Sequence, residues 1–490
     1  SRTWRLMALT VGQALASTVL TACVSLPVAW VLARYRFRGR GLVRTAAMVP
    51  FVLPSVVLGS AIASILGPSG LVDARGTWWP VLIAHVCFNL AVFLRVVGAA
   101  LDGLDPSLED TARTLGLTPA AAARRVVFPA VLPAVWAAAI VVFLFCLTSF
   151  GVIVILGGGR VSTIEVEIWV RATRQFDVSG AAVLAVVQVL AVVATLALHA
   201  RLSRRAARAV RSGRRWARRP AGADEWAQVA AAVGAIGVVT VVPLAALVER
   251  SLRLPGTTHG LDHWRHLGSA ATGTGLAVSP WSAVVVSIVS ASIATVVAVV
   301  IGVPAARVAA RRPGGASDRI LLLPLGVSAT TIGLGLLLAV GRPPVDLRRA
   351  WWLVPAAQAL VAIPLLVRAV AAALRELPPS VTDVAATLGA GPRRRWWRVE
   401  LPMIREAVAA GAGLAFVASL GEFGATVFLA RADRPTVPVA IERLMSRPGS
   451  SGFGQAMALS CVLVVMCGAV LAVVDRSVDR MSGRRGTSVE

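Results

Sequence analysis

The 490-residue chain contains no lysine, so all 49 of its basic residues are arginine; against them stand 24 acids, five cysteines and one tyrosine, Tyr35. Each shortage excludes something. A Gly-x-x-x-x-Gly-Lys-Ser/Thr phosphate loop needs its lysine on the terminal phosphates, so this chain holds no such nucleotide site. Cys23, Cys87, Cys146, Cys461 and Cys467 each fall inside an apolar run without metal-ligand spacing, and they read as small hydrophobes. Charged residues make up 15% of the chain, where soluble domains carry about 25%. That leaves too little polar surface for nucleic-acid binding, despite a net charge of +25. No His-Glu-x-x-His, no Gly-x-Ser-x-Gly and no acid cluster within the apolar runs supports a membrane-embedded enzyme.

What fills the chain is apolar sequence, 57% of it. Eleven runs approach the 20 or so residues that a helix needs to cross a bilayer: 8–32, 45–66, 79–100, 133–156, 180–200, 226–248, 282–306, 320–340, 350–373, 407–429 and 453–474. Spanning segments must satisfy their own backbone, so the expected fold class is an all-α polytopic membrane protein in the lipid bilayer. Arginine placement sets the sides. If Arg34, Arg36, Arg38, Arg40 and Arg44 follow the first run on the cytoplasmic side, alternation gives 31 arginines inside and 16 outside, with Arg95 and Arg368 near helix ends, as the positive-inside rule predicts. Nine arginines crowd 201–219, an anchor on anionic lipid and a linker between halves.

The halves repeat. Segment 104–129, shifted by 273 residues, lies on 377–402 with twelve of 26 positions identical, and the same register pairs Phe150-Gly151 with Phe423-Gly424. Both copies fall on the cytoplasmic side, so the repeat is parallel. The expected organisation is a first transmembrane domain over 1–200, a basic linker over 201–225, a second domain over 226–474 and a cytoplasmic tail over 475–490. The second half shows six runs and the first five, so one helix is expected upstream of Ser1, giving twelve spans in the complete chain.

Each repeated loop reads Asp-x-Ala-x-x-Leu-Gly, then nine residues, then Val-x-(Phe/Leu)-Pro. Asp110 and Asp383 favour a helix start. Gly116 and Gly389 are placed to end that helix in the left-handed conformation. Pro119 and Pro392 suit the first turn of a second helix, and Pro129 and Pro402 precede the next span. The expected product is a rigid elbow of two short helices.

These loops resemble the EAA loops of ABC-importer permeases, Glu-Ala-Ala-x-x-x-Gly, nine residues, then Ile-x-Leu-Pro. Here Asp110 and Asp383 replace the Glu, and Thr111 and Val384 replace the first Ala. The chain is similar to the fused double permeases of thiamine and ferric-iron importers, through 82–90, Ser149-Phe150-Gly151, 156–159, 162–168 and 419–426. The resemblance implies a type I importer permease fold of two tandem helical bundles in the bacterial plasma membrane. It implies no catalysis and no cofactor in this chain: two copies of a partner ABC ATPase hold ATP and Mg, and an extracytoplasmic binding protein delivers a small solute, with thiamine or ferric iron foremost. The implied ATPase-coupling residues are Asp110, Ala112, Leu115, Gly116 and Pro129, with Asp383, Ala385, Leu388, Gly389 and Pro402.

Candidate translocation-path residues are Glu422, its repeat partner Ser149, and His85 with Asn89 one turn on. A hydrogen-bonded packing role is the alternative for Glu422 and His85. His263 and His266 near Asp262 form too weak a pattern for a metal site, so none is expected, and Glu165 and Glu167 suggest an outer docking segment or a solvated loop. The competing function is an ion-coupled secondary transporter, which usually places carboxylates at midplane sites within inverted repeats. Here the repeat is parallel and such acids are scarce apart from Glu422.

Overall fold

The computed structural model describes residues 2–67, 70–105, 107–206, 219–254, 258–269, 276–311, 327–341, 347, 350–446 and 450–486, so most of the arginine-rich 201–219 stretch lies outside the described residues. Among these residues the secondary structure is helical, with an isolated bridge between Arg253 and His259, a further bridge residue at Tyr35, and no strand. Two compact units divide the chain, Ser1–Arg250 and Ser251–Glu490.

The first unit contains α1 (Arg2–Arg34), α2 (Arg40–Ala46), α3 (Val49–Val52), α4 (Ser55–Leu66), α5 (Trp79–Asp102), α6 (Ser107–Thr114), α7 (Pro119–Ala122), a π turn (Ala123–Val127), α8 (Phe128–Leu147), α9 (Gly151–Leu156), α10 (Ile164–Thr173), α11 (Val178–Ala206) and α12 (Ala223–Leu252). Its core joins Val28, Ala29 and Leu32 of α1 to Leu90, Phe93 and Val97 of α5 and to Val142, Cys146 and Leu147 of α8. Val229, Ala232 and Ile236 of α12 enter the same core, and the Tyr35 hydroxyl bonds Gln228 Oε1 at 3.3 Å. By packing, then, α12 belongs with the first unit, although 226–248 open the second half in sequence order.

The second unit contains α13 (Asp262–Arg265), α14 (Pro280–Arg311), α15 (Ala329–Val340), α16 (Leu353–Glu376), α17 (Pro379–Thr387), α18 (Pro392–Arg395), a π turn (Trp396–Glu400), α19 (Leu401–Met403), α20 (Arg405–Gly421), α21 (Thr426–Leu429), α22 (Val437–Met445) and α23 (Ser450–Gly486). In lipid, helices associate through small residues that let backbones approach closely. On α14 such residues recur every three or four positions: Ser287, Ala291, Ala294, Ala298, Gly302 and Ala306 are all buried. Ala298 packs with Ala362 of α16 and Ala415 of α20.

Among the described residues eight helices are long and apolar enough to cross a membrane, or ten if each of two bent pairs is one span. The expected eleven is therefore not reached. The run 320–340 is represented by the twelve-residue α15, with 320–326 outside the described residues. The bent pairs are Arg40–Val52 with Ser55–Leu66, at 99°, and Pro392–Met403 with Arg405–Gly421, at 70°. Two expected runs also break near their ends. Helix α8 stops at Leu147 and α9 restarts at Gly151; α20 stops at Gly421 and α21 restarts at Thr426. Hydropathy cannot register these breaks, because the residues on both sides stay apolar.

Candidate functional site

The two elbows fold as their local sequence dictates. After α6, Gly116 takes φ +87°; its N–H donates to Arg113 O at 3.0 Å, and Leu117 N–H donates to Ala112 O at 3.1 Å. After α17, Gly389 takes φ +76°, with Gly389 N–H on Ala386 O and Ala390 N–H on Ala385 O, both at 3.0 Å. Each is a Schellman turn, and a side chain in that left-handed geometry costs about 1–2 kcal/mol. Thr118 Oγ1 then accepts from Ala121 N–H to start α7, whereas Gly391 occupies that place before α18.

Both elbows leave through a π turn. Pro129 and Pro402 lack the N–H that would reach four residues back, and their rings crowd that carbonyl. Widening one turn to i→i+5 bonding accommodates the ring; Phe128 N–H accordingly donates to Ala123 O, and Leu401 N–H to Trp396 O.

The elbows expose their tips. Asp110, Leu115, Gly116 and Pro129 are exposed while Ala112 is buried; Asp383, Leu388, Gly389 and Pro402 are exposed while Ala385 is half-buried. Leu115 is 79% and Leu388 81% exposed, apolar side chains presented at matching positions of two turns. Asp105 lies just before α6, where its Oδ1 accepts the Ser107 N–H at 3.0 Å, and this bond holds the carboxyl below the usual carboxylate range.

Two ion pairs escaped the sequence reading. Arg34, at the last position of α1, forms a two-pronged ion pair with Glu109 of α6, at 2.8 and 2.9 Å, and lies 5.4 Å from the Trp30 ring centre. Arg307 of α14 is its equivalent in the 273-residue register. It pairs with Glu400 at 2.9 and 2.8 Å and lies 4.5 Å from the Trp396 ring centre. The recurrence of Arg at 34 and 307 was the available signal; neither carboxylate partner recurs, because Thr382 stands opposite Glu109 and Val127 opposite Glu400.

The candidate path residues lie at the helix breaks. His85 is buried, with Nδ1 2.8 Å from Ser17 Oγ and Nε2 2.9 Å from Ser149 Oγ, so α1, α5 and the break after α8 meet on one ring. A helix end leaves carbonyls that water would otherwise satisfy. Here buried amides serve: Gln13 Nε2 donates to Cys146 O at 2.8 Å and Gln188 Nε2 to Leu147 O at 3.1 Å, while Asn89 Nδ2 donates to His85 O. In the second unit Gln358 occupies the register position of His85, and its Nε2 donates to Ser419 O at 2.9 Å. Glu422 begins the break and caps α21. Its carboxylate accepts from Ala425 N–H at 2.8 Å and Thr426 N–H at 2.9 Å. The structure thus joins His85 to Ser149 and gives Glu422 a capping bond set.

One further expectation changes. Glu165 and Glu167 are not solvated: both are buried in α10, and Glu167 pairs with Arg171 at 3.1 Å, because Ile164, Val166 and Ile168 carry that helix into the core. His263 is buried and donates through Nε2 to Arg253 O at 3.1 Å, while His266 Nδ1 bonds Asp262 O at 2.6 Å, so each ring is held by a different backbone carbonyl.

A helical membrane protein made of two repeats, each carrying an exposed elbow between spanning segments, is a defined class of protein. Residues 25–208 and 298–484 both match the family of binding-protein-dependent transport system inner membrane components, and the chain belongs to that family, with its domain present twice. It is similar to the thiamine transport system permease protein ThiP of Brucella abortus, 32% identical over 200 residues, which are 38% of this chain and 37% of that protein. The chain thus matches little more than a third of the length of that thiamine permease. It is also similar to the molybdenum transport system permease protein ModB of Mycobacterium tuberculosis, 35% identical over 207 residues, 39% of this chain and 78% of that protein. The probable ABC transporter permease protein y4fN of Sinorhizobium fredii is 25% identical over 465 residues, 88% of this chain and 80% of that protein.

Proposed function

We propose that the chain is the translocating subunit of an ATP-driven importer in a bacterial inner membrane. A binding protein on the outer side delivers a small solute, and two copies of an ABC ATPase dock on the inner side, one on each elbow. ATP and Mg sit on those partners. The observation that carries this reading is the recurrence, in the same register, of an exposed Asp, an exposed Leu and a left-handed Gly on each elbow. The same apolar side chain, about four-fifths exposed, stands at the same place on both rigid turns, as docking of one kind of partner twice would require. The short helices give it fixed geometry, and the π turns tie it to the spanning helix behind it.

In this reading closure of the ATPases pulls on both elbows, and the spanning helices α8 and α20 carry the movement toward the breaks at Ser149 and Glu422. His85 holds the first break and Gln358 serves the second, so these residues flank the translocation path rather than bind its cargo. Thiamine is the first substrate to test, supported by 156–159 and 163–165 and by the ThiP similarity, with ferric iron next. A tetrahedral oxyanion is a second reading, favoured by the similarity that covers 78% of a molybdenum permease.

The test reconstitutes the chain with its ATPase and binding protein in liposomes and replaces Gly389 by Val. ATP-dependent uptake falls about tenfold or more because the turn cannot keep its φ, while membrane insertion is unchanged. Undiminished uptake would refute the coupling role. Calorimetry of the binding protein against thiamine, ferric ion, sulfate and molybdate then selects the substrate.

A further inference from the structure

Arg34 and Arg307 occupy the same place in the repeat, Arg34 at the last position of α1 and Arg307 about one turn before the end of α14, yet they hold different parts of the elbow of their own half. The Arg34 pair is the deeper, its side chains 13% and 6% exposed against 22% and 14% for Arg307 and Glu400. Glu109 stands in the first turn of the coupling helix α6, so α1 grips that helix directly. Glu400 closes the π turn beyond α18, so α14 grips the base of the second elbow. At the position of Glu109 the second elbow has Thr382, which brings no charge. Behind it the chain bends by 70° between Pro392–Met403 and Arg405–Gly421, whereas Pro119–Leu147 runs as one span behind the first.

We propose that Arg34 and Arg307 are positioning residues for energy coupling, and that they make the two elbows unequal: the first moves as one body with α1, and the second turns about its Glu400 anchor. Paired, two-pronged guanidinium–carboxylate contacts fix direction as well as distance, which a transmitted pull needs. Removing one member of a largely buried pair also strands the other.

The inference rests on the importer reading, and the experiment separates the two. The full chain is assembled with its ATPase and binding protein in liposomes, and solute uptake per ATP hydrolysed is measured for Arg34→Gln, Glu109→Gln, Arg307→Gln and Glu400→Gln. Breaking the first pair lowers that ratio about tenfold while hydrolysis continues; breaking the second lowers it about threefold. The reversed pairs, Arg34→Glu with Glu109→Arg and Arg307→Glu with Glu400→Arg, restore at least half of each loss, which assigns it to the pair, while continued ATP hydrolysis in the single variants separates lost coupling from lost assembly. Ratios unchanged in all four single variants overturn the proposal and leave the importer reading intact. Equal losses from the two pairs overturn the inequality. If single variants fail to assemble, the reversed pairs decide: restored assembly and coupling support the proposal, and failure of both reversals overturns it. An unmodified chain that recruits no ATPase overturns the importer reading itself and this inference with it.

Discussion

Behind the first elbow the chain continues through Pro119–Leu147 as one helical span; behind the second, the equivalent stretch turns by 70° at Ile404. The tips of the two elbows share the left-handed glycine, the exposed leucine and the exposed aspartate, while their anchors differ in the carboxylate used and in its burial. What is repeated is therefore the surface offered to a partner, and what has diverged is the attachment to the bundle. The helix breaks follow the same rule: both stop a spanning helix within one residue of the same register, but one is held by a histidine between two serines and the other by a glutamate that caps the next helix.

The largest effect comes from the shared feature. Gly116→Val and Gly389→Val should each reduce ATP-driven uptake about tenfold or more, because both turns need φ above +70°. Equal losses, measured in liposomes, support tips of equal function; a silent Gly116→Val would confine coupling to the second elbow. A smaller effect separates the bundles. A Cβ on Gly333 would lie 2.6 Å from the Ala425 Cα and 2.7 Å from its carbonyl oxygen, backbone that cannot step aside, whereas one on Gly59 meets the Ile155 side chain at 3.2 Å. Gly333→Ala should destabilise by about 1–3 kcal/mol and Gly59→Ala by less, as read from thermal unfolding in detergent. The order reversed would contradict the close approach of α15 to the second break.

The smallest effect concerns Asp105, which has no acidic counterpart, since Pro378 stands there in the second elbow. Its carboxyl is held below its ordinary value by the Ser107 N–H, so the stabilisation is present above the usual carboxylate range and is lost as pH falls through the lowered value. Amide exchange over 107–114 should stay constant between about pH 8 and 5 once corrected for intrinsic rates, and Asp105→Ala should raise it slightly at every pH in that range. No change on substitution would remove the capping role.

Much of this was legible in the sequence, and the reason is locality. A glycine ending a helix, a proline opening one and a 273-residue repeat are properties of short segments, so Gly116, Gly389, Pro119 and Pro392 declare themselves without tertiary information. The ion pairs do not, because Arg34 and Glu109 are 75 residues apart and only folding brings them together. The breaks were hidden by apolar sequence running through them, and Glu422 read as a charge within a span when it stands just past the end of one. Glu165 and Glu167 read as surface because they are acids; α10 buries them since alternate positions around them are aliphatic.

The central claim, that each elbow is the seat of one ATPase, is tested most directly by cross-linking. The five native cysteines are replaced, cysteine is placed at Leu115 or at Leu388, and the assembled complex is treated with a short thiol-to-amine reagent. The account predicts an ATPase adduct from each position, with both formed on one chain when the two substitutions are combined. Adducts from neither position, or from one alone with the other left free in a fully assembled complex, would contradict it.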